Sequence, residues 1–584
     1  MTPARPRIAQ TKFRSRSALV GGALLAGCAV AAVMSAAPAA GGKKDEEADR
    51  PNVVVVMSDD QTQDSLRFMP RVNAQIGAAG ATFANSFVSY SLCCPSRATF
   101  LTGQYAHNHG VMSNNEEDGG YLALDSTNTL AVWLQQAGYY TGHIGKYLNG
   151  YEQVPDTIPP GWTEWHGSTR TYQYYGFQLN EDGTLVDYGT TPDQYSTDVY
   201  TQKAVDFINR RAPESRPFFL WVAYLAPHSG GPNPSPQPPD NCLNTAKPAP
   251  RHATAFEDEP LPQPPSFNEA DVSDKPQEVQ QQPLLDDADI ANIQRKYRCR
   301  LESLLAVDEG VDSIVAALRA SGELDDTLFV YTSDNGFMQG EHRDPGGKVV
   351  LYEPSIRVPL LIRGPGIPKG VTVNDPSINA DLAPTILALT GAEPGRTMDG
   401  LSLLPVMQSP GLERGRALLI ETRTYSAVRT QRYLYAEHTT GEHELYDLEN
   451  DPDELQNLQA DPAFDTVEAA LAGLLGRVRA CSGDACRATP LLKLKLDYRD
   501  GRPGKRDCAL GAVRATVKGA DRGLLTEAGF AVGARQLGTD TAAPFKRRIP
   551  SAKLKRHGKS SVVATVDLLD GREMTLDAQV RRCA

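Results

Sequence analysis

Consecutive β-branched and apolar residues recur along the first two thirds of the chain. Residues 52–57 read N-V-V-V-V-M, 218–226 read F-F-L-W-V-A-Y-L-A, and 326–332 read D-T-L-F-V-Y-T. A run without polar alternation predicts a strand buried on both faces, as in a parallel sheet covered by helices. A shorter run, 358–362, predicts another strand. Leu301, Leu304, Val311, Ile314, Val315 and Leu318 recur at helical spacing, which predicts a helix over 288–321. Further helices are expected to open at Ala380-Asp381-Leu382 and to cover about 466–479. Residues 229–285, rich in Pro, Gln and Asp, read as an irregular surface excursion.

The rhythm then shortens. Residues 417–448 read as antiparallel strands. From about 490, short alternating strands and turns take over, including 513–517 and 562–568, and basic side chains become frequent. The pattern predicts an α/β fold: a large mixed, mostly parallel sheet flanked by helices, with a small antiparallel C-terminal subdomain at about 415–480. An appended all-β, sandwich-like module is expected over 495–584. The main domain would span 51–490, after a signal peptide at 1–40 and a charged linker at 41–50.

The leader is read from Arg5, Arg7, Lys12, Arg14 and Arg16 ahead of an apolar run from Ala18 to Ala40, with Ala37-Pro38-Ala39 as a cleavage site. Leu25-Ala26-Gly27-Cys28 also matches a lipoprotein processing box, so a lipid anchor at Cys28 is the alternative to free secretion. Either way the chain is expected to be exported. The net charge of −12, with no basic stripe evident in the folded part, argues against nucleic acid as a partner.

Two of the buried runs end in oxygen-rich triplets, Ser58-Asp59-Asp60 and Ser333-Asp334-Asn335. Ligands collect at the carboxyl ends of strands in α/β sheets. Three carboxylates and an amide make a hard, all-oxygen set suited to Ca²⁺ or Mg²⁺. Lys146 and His228 also follow strand-like runs, which places them on the same rim. The S-D-N triplet occurs in serine β-lactamases too, but the chain has no S-x-x-K and no K-T-G.

A different stretch supplies the nucleophile: Ser91-Leu92-Cys93-Cys94-Pro95-Ser96-Arg97, running on to Leu101-Thr102-Gly103. Pro95 suits a first helical turn and Gly103 its end. The cysteines then lie beside the free N–H groups of a helix N-terminus, where anions bind. Arg97 adds a forked cation suited to sulfate or phosphate. A thiol-phosphatase loop needs an arginine six residues after its cysteine; Thr99 and Phe100 occupy those positions.

The C-x-P-S-R…L-T-G string resembles the sulfatase signature, and residues 51–460 carry further matches in the family's order, including Tyr446-Asp447-Leu448…Asp451-Pro452. The resemblance implies that Cys93 is oxidised to formylglycine by a formylglycine-generating enzyme and acts as nucleophile. It implies Asp59, Asp60, Asp334 and Asn335, with the modified Cys93, as ligands of Ca²⁺, ahead of Mg²⁺. Arg97 and Lys146 would hold nucleophile and sulfate, Lys348 the sulfate oxygens, and His228 the leaving-group oxygen. Cys93–Arg97, Tyr105–His109, Asn114-Asn115, Gly145–Asn149 and the segment 266–276 are most similar to N-acetylglucosamine-6-sulfatases, so a sulfated carbohydrate or aryl sulfate is the expected substrate.

The family's histidine two residues after the lysine is replaced by Leu148, which leaves the second-step base unassigned; His143 is one candidate. His107 and His109 are expected to be structural. Competing expectations are a phosphonate monoester or phosphodiester hydrolase of the same superfamily, an exported non-catalytic carbohydrate-binding protein, and a thiol hydrolase, for which no base is evident near Cys93. With Cys28, Cys93 and Cys94 set aside, the expected disulfides are Cys242–Cys299, Cys481–Cys486 and Cys508–Cys583.

Overall fold

The computed structural model describes residues 50–115, 117–231, 242–500 and 508–583. The expected signal peptide, Cys28 and nearly all of the linker lie outside the described residues. Among the described residues no helix is long and apolar enough to cross a membrane.

The apolar run at Asn52–Ser58 is the centre of a ten-stranded sheet, paired in parallel with Phe218–Ala223 on one side and Thr327–Ser333 on the other. Tyr140–Gly145 and Glu164–Ser168 extend the parallel part; antiparallel pairs close the sheet beyond Glu164–Ser168, and on the other side an antiparallel strand, Leu360–Arg363, lies between Thr327–Ser333 and the parallel edge pair Ala81–Phe83 and Val371–Val373. Strand residues alternate faces, and here both faces are covered. Val53, Val55 and Met57 join one core with the helices Cys93–Thr102 and Leu130–Gln136. Val54 and Val56 join the other, with Ser196–Arg211 and the long helix Asp287–Ser321. The unbroken apolar run is thus explained by burial on two sides.

The long helix starts on a capping box: Asp286 accepts from the N–H groups of Ala288 and Asp289. It ends at Gly322, whose φ of 83° belongs to the left-handed region that glycine adopts at low cost. The 242–285 excursion is mostly turns with one short helix, Gln277–Gln280, and is tied to the long helix by the Cys242–Cys299 disulfide. Among the described residues Cys481–Cys486 and Cys508–Cys583 are the other two bridges, and Cys93 and Cys94 are free.

Four antiparallel strands, Leu418–Glu421, Tyr425–Arg429, Tyr433–His438 and His443–Asp447, form the small subdomain, and the helix Asp465–Val478 packs on them. From Leu492 to Arg582, seven strands make one hydrogen-bonded sheet with its own apolar core. This all-β part belongs to the same compact unit as the rest of the described chain. Thr575 N–H donates to Glu413 O at 2.8 Å, and Arg572 Nη1 donates to Ala488 O at 2.7 Å.

Candidate active site

Strand register assembles the site. Met57 pairs with Ala223, Ser58 with Ser333, and Gly145 with Ala223, so three central strands and their neighbour end at one level. The next residues along the chain are Asp59-Asp60, Asp334-Asn335 and Lys146, and the loop after Ala223 brings His228 to the same edge. The helix Cys93–Thr102 points its N-terminus at this rim; Leu92 is extended and Gly103, at φ 67°, ends the helix. Asp59, Asp60, Cys93, Arg97, Lys146, His228, Asp334, Asn335 and Lys348 are therefore found in one cluster, and the candidate base His143 is not among them.

Ion pairs join the cluster. Arg97 Nε meets Asp334 Oδ2 at 2.8 Å, and its Nη2 meets Asp59 Oδ2 at 3.1 Å. Its Nη1 donates to the carbonyls of Lys146 at 2.7 Å and Tyr147 at 3.3 Å. Arg97 is fully buried and engaged at all three nitrogens, so it orients carboxylates from below. Lys146 pairs with Asp59, and Lys348 with Asp60. Asn335 Nδ2 donates to Asp60 Oδ1 at 2.7 Å, while Asn335 Oδ1 is buried with no hydrogen-bond partner. A buried acceptor left without a donor is costly, so this oxygen is free to accept a further donor or a cation.

The two cysteines differ. Cys93 Sγ faces Lys348 Nζ at 3.0 Å and Asp59 Oδ1 at 3.7 Å. Cys94 turns away: its N–H donates to Asn114 Oδ1 at 2.9 Å and its sulfur accepts from Asn149 N–H at 2.9 Å. Burial pushes the Cys93 thiol up to about 11, against the pull of Lys146 and Lys348, so the encoded side chain is a thiol at neutral pH. Ligand atoms of Asp59, Asp60, Cys93 and His228 lie within 4.8 Å of one another. This corrects the expectation that no base lies near Cys93: the fold brings His228 there from far along the chain.

Burial alone would raise the Asp59 and Asp60 carboxyls, but Lys146 beside Asp59 and Lys348 beside Asp60 hold both below their ordinary value. The same contacts raise both lysines against their own burial cost. Burial lowers His228, although Asp60 and Asp59 oppose it. Its Nδ1 faces Ser229 O at 2.7 Å and its Nε2 faces Asp60 Oδ2 at 3.5 Å, with Tyr172 stacked on the ring at 5.0 Å.

His143 is elsewhere. Its ring is packed among Tyr147, Trp162, Trp165 and Trp221, and Nε2 faces Gly145 O at 3.3 Å. Burial in that aromatic cage drives it well below its ordinary value, and it is a core residue rather than a base at the thiol. Leu148 lies in the apolar core as well. His107 binds Glu421 at 2.9 Å and His109 binds Thr99 Oγ1 at 3.1 Å, so both are structural.

One residue escaped the sequence reading. Arg300, on the long helix and buried, donates to Asp60 O and, at 3.0 Å, to Pro227 O, and lies over the Phe337 ring at 4.2 Å. It ties together the loops that carry Asp60, His228 and Asn335. Asp60 itself has φ 64°, a strained region for an aspartate, and the Arg300 bond to its carbonyl secures it. The only sequence signal was an arginine on the apolar stripe of a helix, at Arg300 between Cys299 and Leu301.

Known proteins resemble most of this chain. The sulfatase family model matches residues 51–392, and the model for the C-terminal part of N-sulphoglucosamine sulphohydrolase matches 340–480. The chain is 32% identical to human N-acetylglucosamine-6-sulfatase, over 75% of this chain and 86% of that protein. It is 36% identical to the putative extracellular sulfatase Sulf-1 homolog of Caenorhabditis elegans over 61% of this chain, but spans about half (49%) of that protein. Among solved structures, BT4656 in complex with its substrate D-glucosamine-2-N,6-O-disulfate superposes with a TM-score of 0.60 at 26% identity, covering 73% of this chain and 97% of that one.

Proposed function

The chain belongs to the sulfatase family and is a sulfuric ester hydrolase, and from that premise we propose that it removes sulfate from an N-acetylglucosamine-6-sulfate-like unit of a sulfated sugar, using formylglycine made from Cys93 and a bound Ca²⁺. The observation that carries this reading is the convergence of Asp59, Asp60, Asp334 and Asn335 on the N-terminus of the helix that begins at Cys93.

The residues fit a hard divalent cation. Asp59, Asp60 and Asp334 supply carboxylates, and the unpartnered Asn335 Oδ1 is a buried neutral donor of the kind Ca²⁺ accepts. Residue 93 would complete the set. When bound, the cation supplies Lewis acidity toward the sulfate oxygens and favours ionisation of the hydrated aldehyde.

The rest falls to side chains of this chain. Formed at residue 93 and hydrated, the aldehyde would supply one hydroxyl, ionised with its proton lost to solvent, as the nucleophile whose attack on sulfur displaces the sugar oxygen, and a second hydroxyl for the release of sulfate. The departing alkoxide takes a proton from the His228 imidazolium. Release of sulfate would need the proton of the second hydroxyl to be removed as the C–O bond breaks and the aldehyde re-forms, and His228, neutral after its first transfer, is the imidazole within reach of residue 93 to take it. Lys146 and Lys348 offset charge on the sulfuryl group, whose removal from water is otherwise expensive. Arg97 keeps Asp59 and Asp334 in place.

Export supports the same picture. Three disulfides require an oxidising compartment, and the worm relative is named an extracellular sulfatase. We assign the chain to the secreted or cell-surface fraction, with lipid attachment at Cys28 as the alternative to free release.

The test is the mass of the tryptic peptide 72–97 from protein of the native host, together with turnover of N-acetylglucosamine-6-sulfate and of a phosphodiester. The expected result is an aldehyde or its hydrate in place of the Cys93 thiol, and preference for the sulfate ester. Active protein with an intact thiol would sink the mechanism; preference for the phosphodiester would sink the substrate assignment.

A further inference from the structure

Residues 491–584 carry 20 Lys and Arg against 10 Asp and Glu, in a chain that totals 59 against 71. Register gathers several of these cations on one face. In the pairing of Leu492–Asp500 with Cys508–Gly519, Lys493 lies directly opposite Lys518, Lys495 opposite Thr516 and Asp497 opposite Arg514. On the other side of the same central strand, Thr516 faces Lys546 and Arg514 faces Arg548. Residues directly opposite share a sheet face, as do residues two apart.

Lys493, Lys495, Arg514, Lys518, Lys546 and Arg548 therefore form a grid across three adjacent strands. All are exposed except Lys518, which is half-buried. Asp497, paired with Lys495 at 2.9 Å, is the carboxylate within it. The opposite face is apolar: Leu494, Val513, Ala515, Val517 and Ile549 are buried in the module core.

Two cross-strand pairs in this grid, Lys493 with Lys518 and Arg514 with Arg548, oppose like charges, which destabilises a sheet. Asp497, opposite Arg514 on its other side, offsets the second pair, whereas the Lys493–Lys518 pair costs folding and a bound polyanion would offset it. We propose that this face of the C-terminal module binds the sulfated glycan chain whose sulfate groups the active site removes.

The occupant follows from charge and chemistry. Outside 491–584 the chain carries 39 Lys and Arg against 61 Asp and Glu, so a polyanion is drawn to this face and repelled by much of the remainder. Strand spacing sets cations about 4.8 Å apart across the sheet and about 7 Å apart along each strand, an array for repeated sulfates. The grid positions include no aromatic ring on which bases could stack, which favours a glycan over single-stranded nucleic acid. The inference rests on the proposed sulfated-sugar substrate.

The test uses the full chain with the substitutions Lys493→Gln, Arg514→Gln, Lys518→Gln and Arg548→Gln combined, and heparin as the probe. Heparin affinity should fall, with the log–log salt slope shallower by about three to four, as for loss of that many charge contacts to a polyanion. KM for heparin oligosaccharides should rise several-fold while turnover of 4-nitrophenyl sulfate is unchanged. The melting temperature should hold or rise, because the like-charge pairs are gone. A companion variant, Lys493→Arg with Lys518→Arg, should keep heparin binding.

Unchanged heparin binding in the four-site variant overturns the proposal, as does a parallel loss of 4-nitrophenyl sulfate turnover. Equal affinity of the wild-type face for a DNA duplex, or for phosphatidylserine vesicles, at the same ionic strength also overturns it. If the wild-type chain cleaves no sulfated sugar yet binds heparin through this face, the binding assignment stands and the substrate assignment falls.

Discussion

His228 donates from Nδ1 to Ser229 O, since a carbonyl can only accept, so a proton for the leaving oxygen can come only from Nε2 of the imidazolium. Burial sets its titration below the ordinary value of 6.5. Turnover of a sugar sulfate, whose alkoxide needs that proton, should therefore fall as pH rises through this lowered value. Turnover of 4-nitrophenyl sulfate, with its stable leaving group, should be nearly flat over the same range. His228→Ala should cost the sugar ester about 10²–10³-fold and the aryl ester far less, measured as kcat on both. Arg300 makes a second residue-level prediction. Arg300→Met leaves the Asp60 and Pro227 carbonyls without their donor, at about 1–3 kcal/mol. Calcium titrations of activity should show weaker half-saturation in this variant, with partial recovery in Arg300→Lys; unchanged calcium dependence would make Arg300 a packing residue only.

Among the elements, the long helix carries both Arg300 and Cys299, so the disulfide to Cys242 fastens the irregular excursion beside the site. The bridge closes a sequence separation of 57 residues, worth about 4 kcal/mol by loop-closure entropy. Replacing both cysteines by serine should lower stability by up to that amount in a urea melt. His107 links its short helix Ala106–His109 to the antiparallel subdomain through Glu421 and the Cys481 carbonyl. Burial opposes its charge, but the Glu421 hydrogen bond prevails and raises it above 6.5. Its stabilising contribution is full below pH 6.5 and is lost as pH climbs through the raised value. His107→Gln should flatten that part of a stability-versus-pH curve.

For the whole molecule, the all-β module and the main domain meet at a seam where Glu413 contacts Thr575 and lies near Asp375 and Glu573. Burial, then those two carboxylates, push Glu413 up to about 7. A carboxyl raised in the folded state binds its proton more tightly there than in the unfolded chain. Its effect is that stability falls as pH rises from about 4.5 toward 7. Glu413→Gln, which mimics the protonated acid, should remove this slope and stabilise the protein at pH 8, as read by thermal melts across pH.

The sequence by itself determined the central strands, because unbroken valine runs have one comfortable place, a sheet covered on both faces. It also determined the long helix, through spacing, and it singled out Cys93, Asp59, Asp60, Asp334 and Asn335 as site candidates, because local motifs carry residue type and order. It did not reveal the His143 cage, the Arg300 tie or the nearness of His228 to Cys93, since each depends on which distant elements become neighbours. Nor did it reveal the basic face of the module. Cations scattered along several strands form no stripe until register sets them opposite one another, and register is a property of the folded sheet.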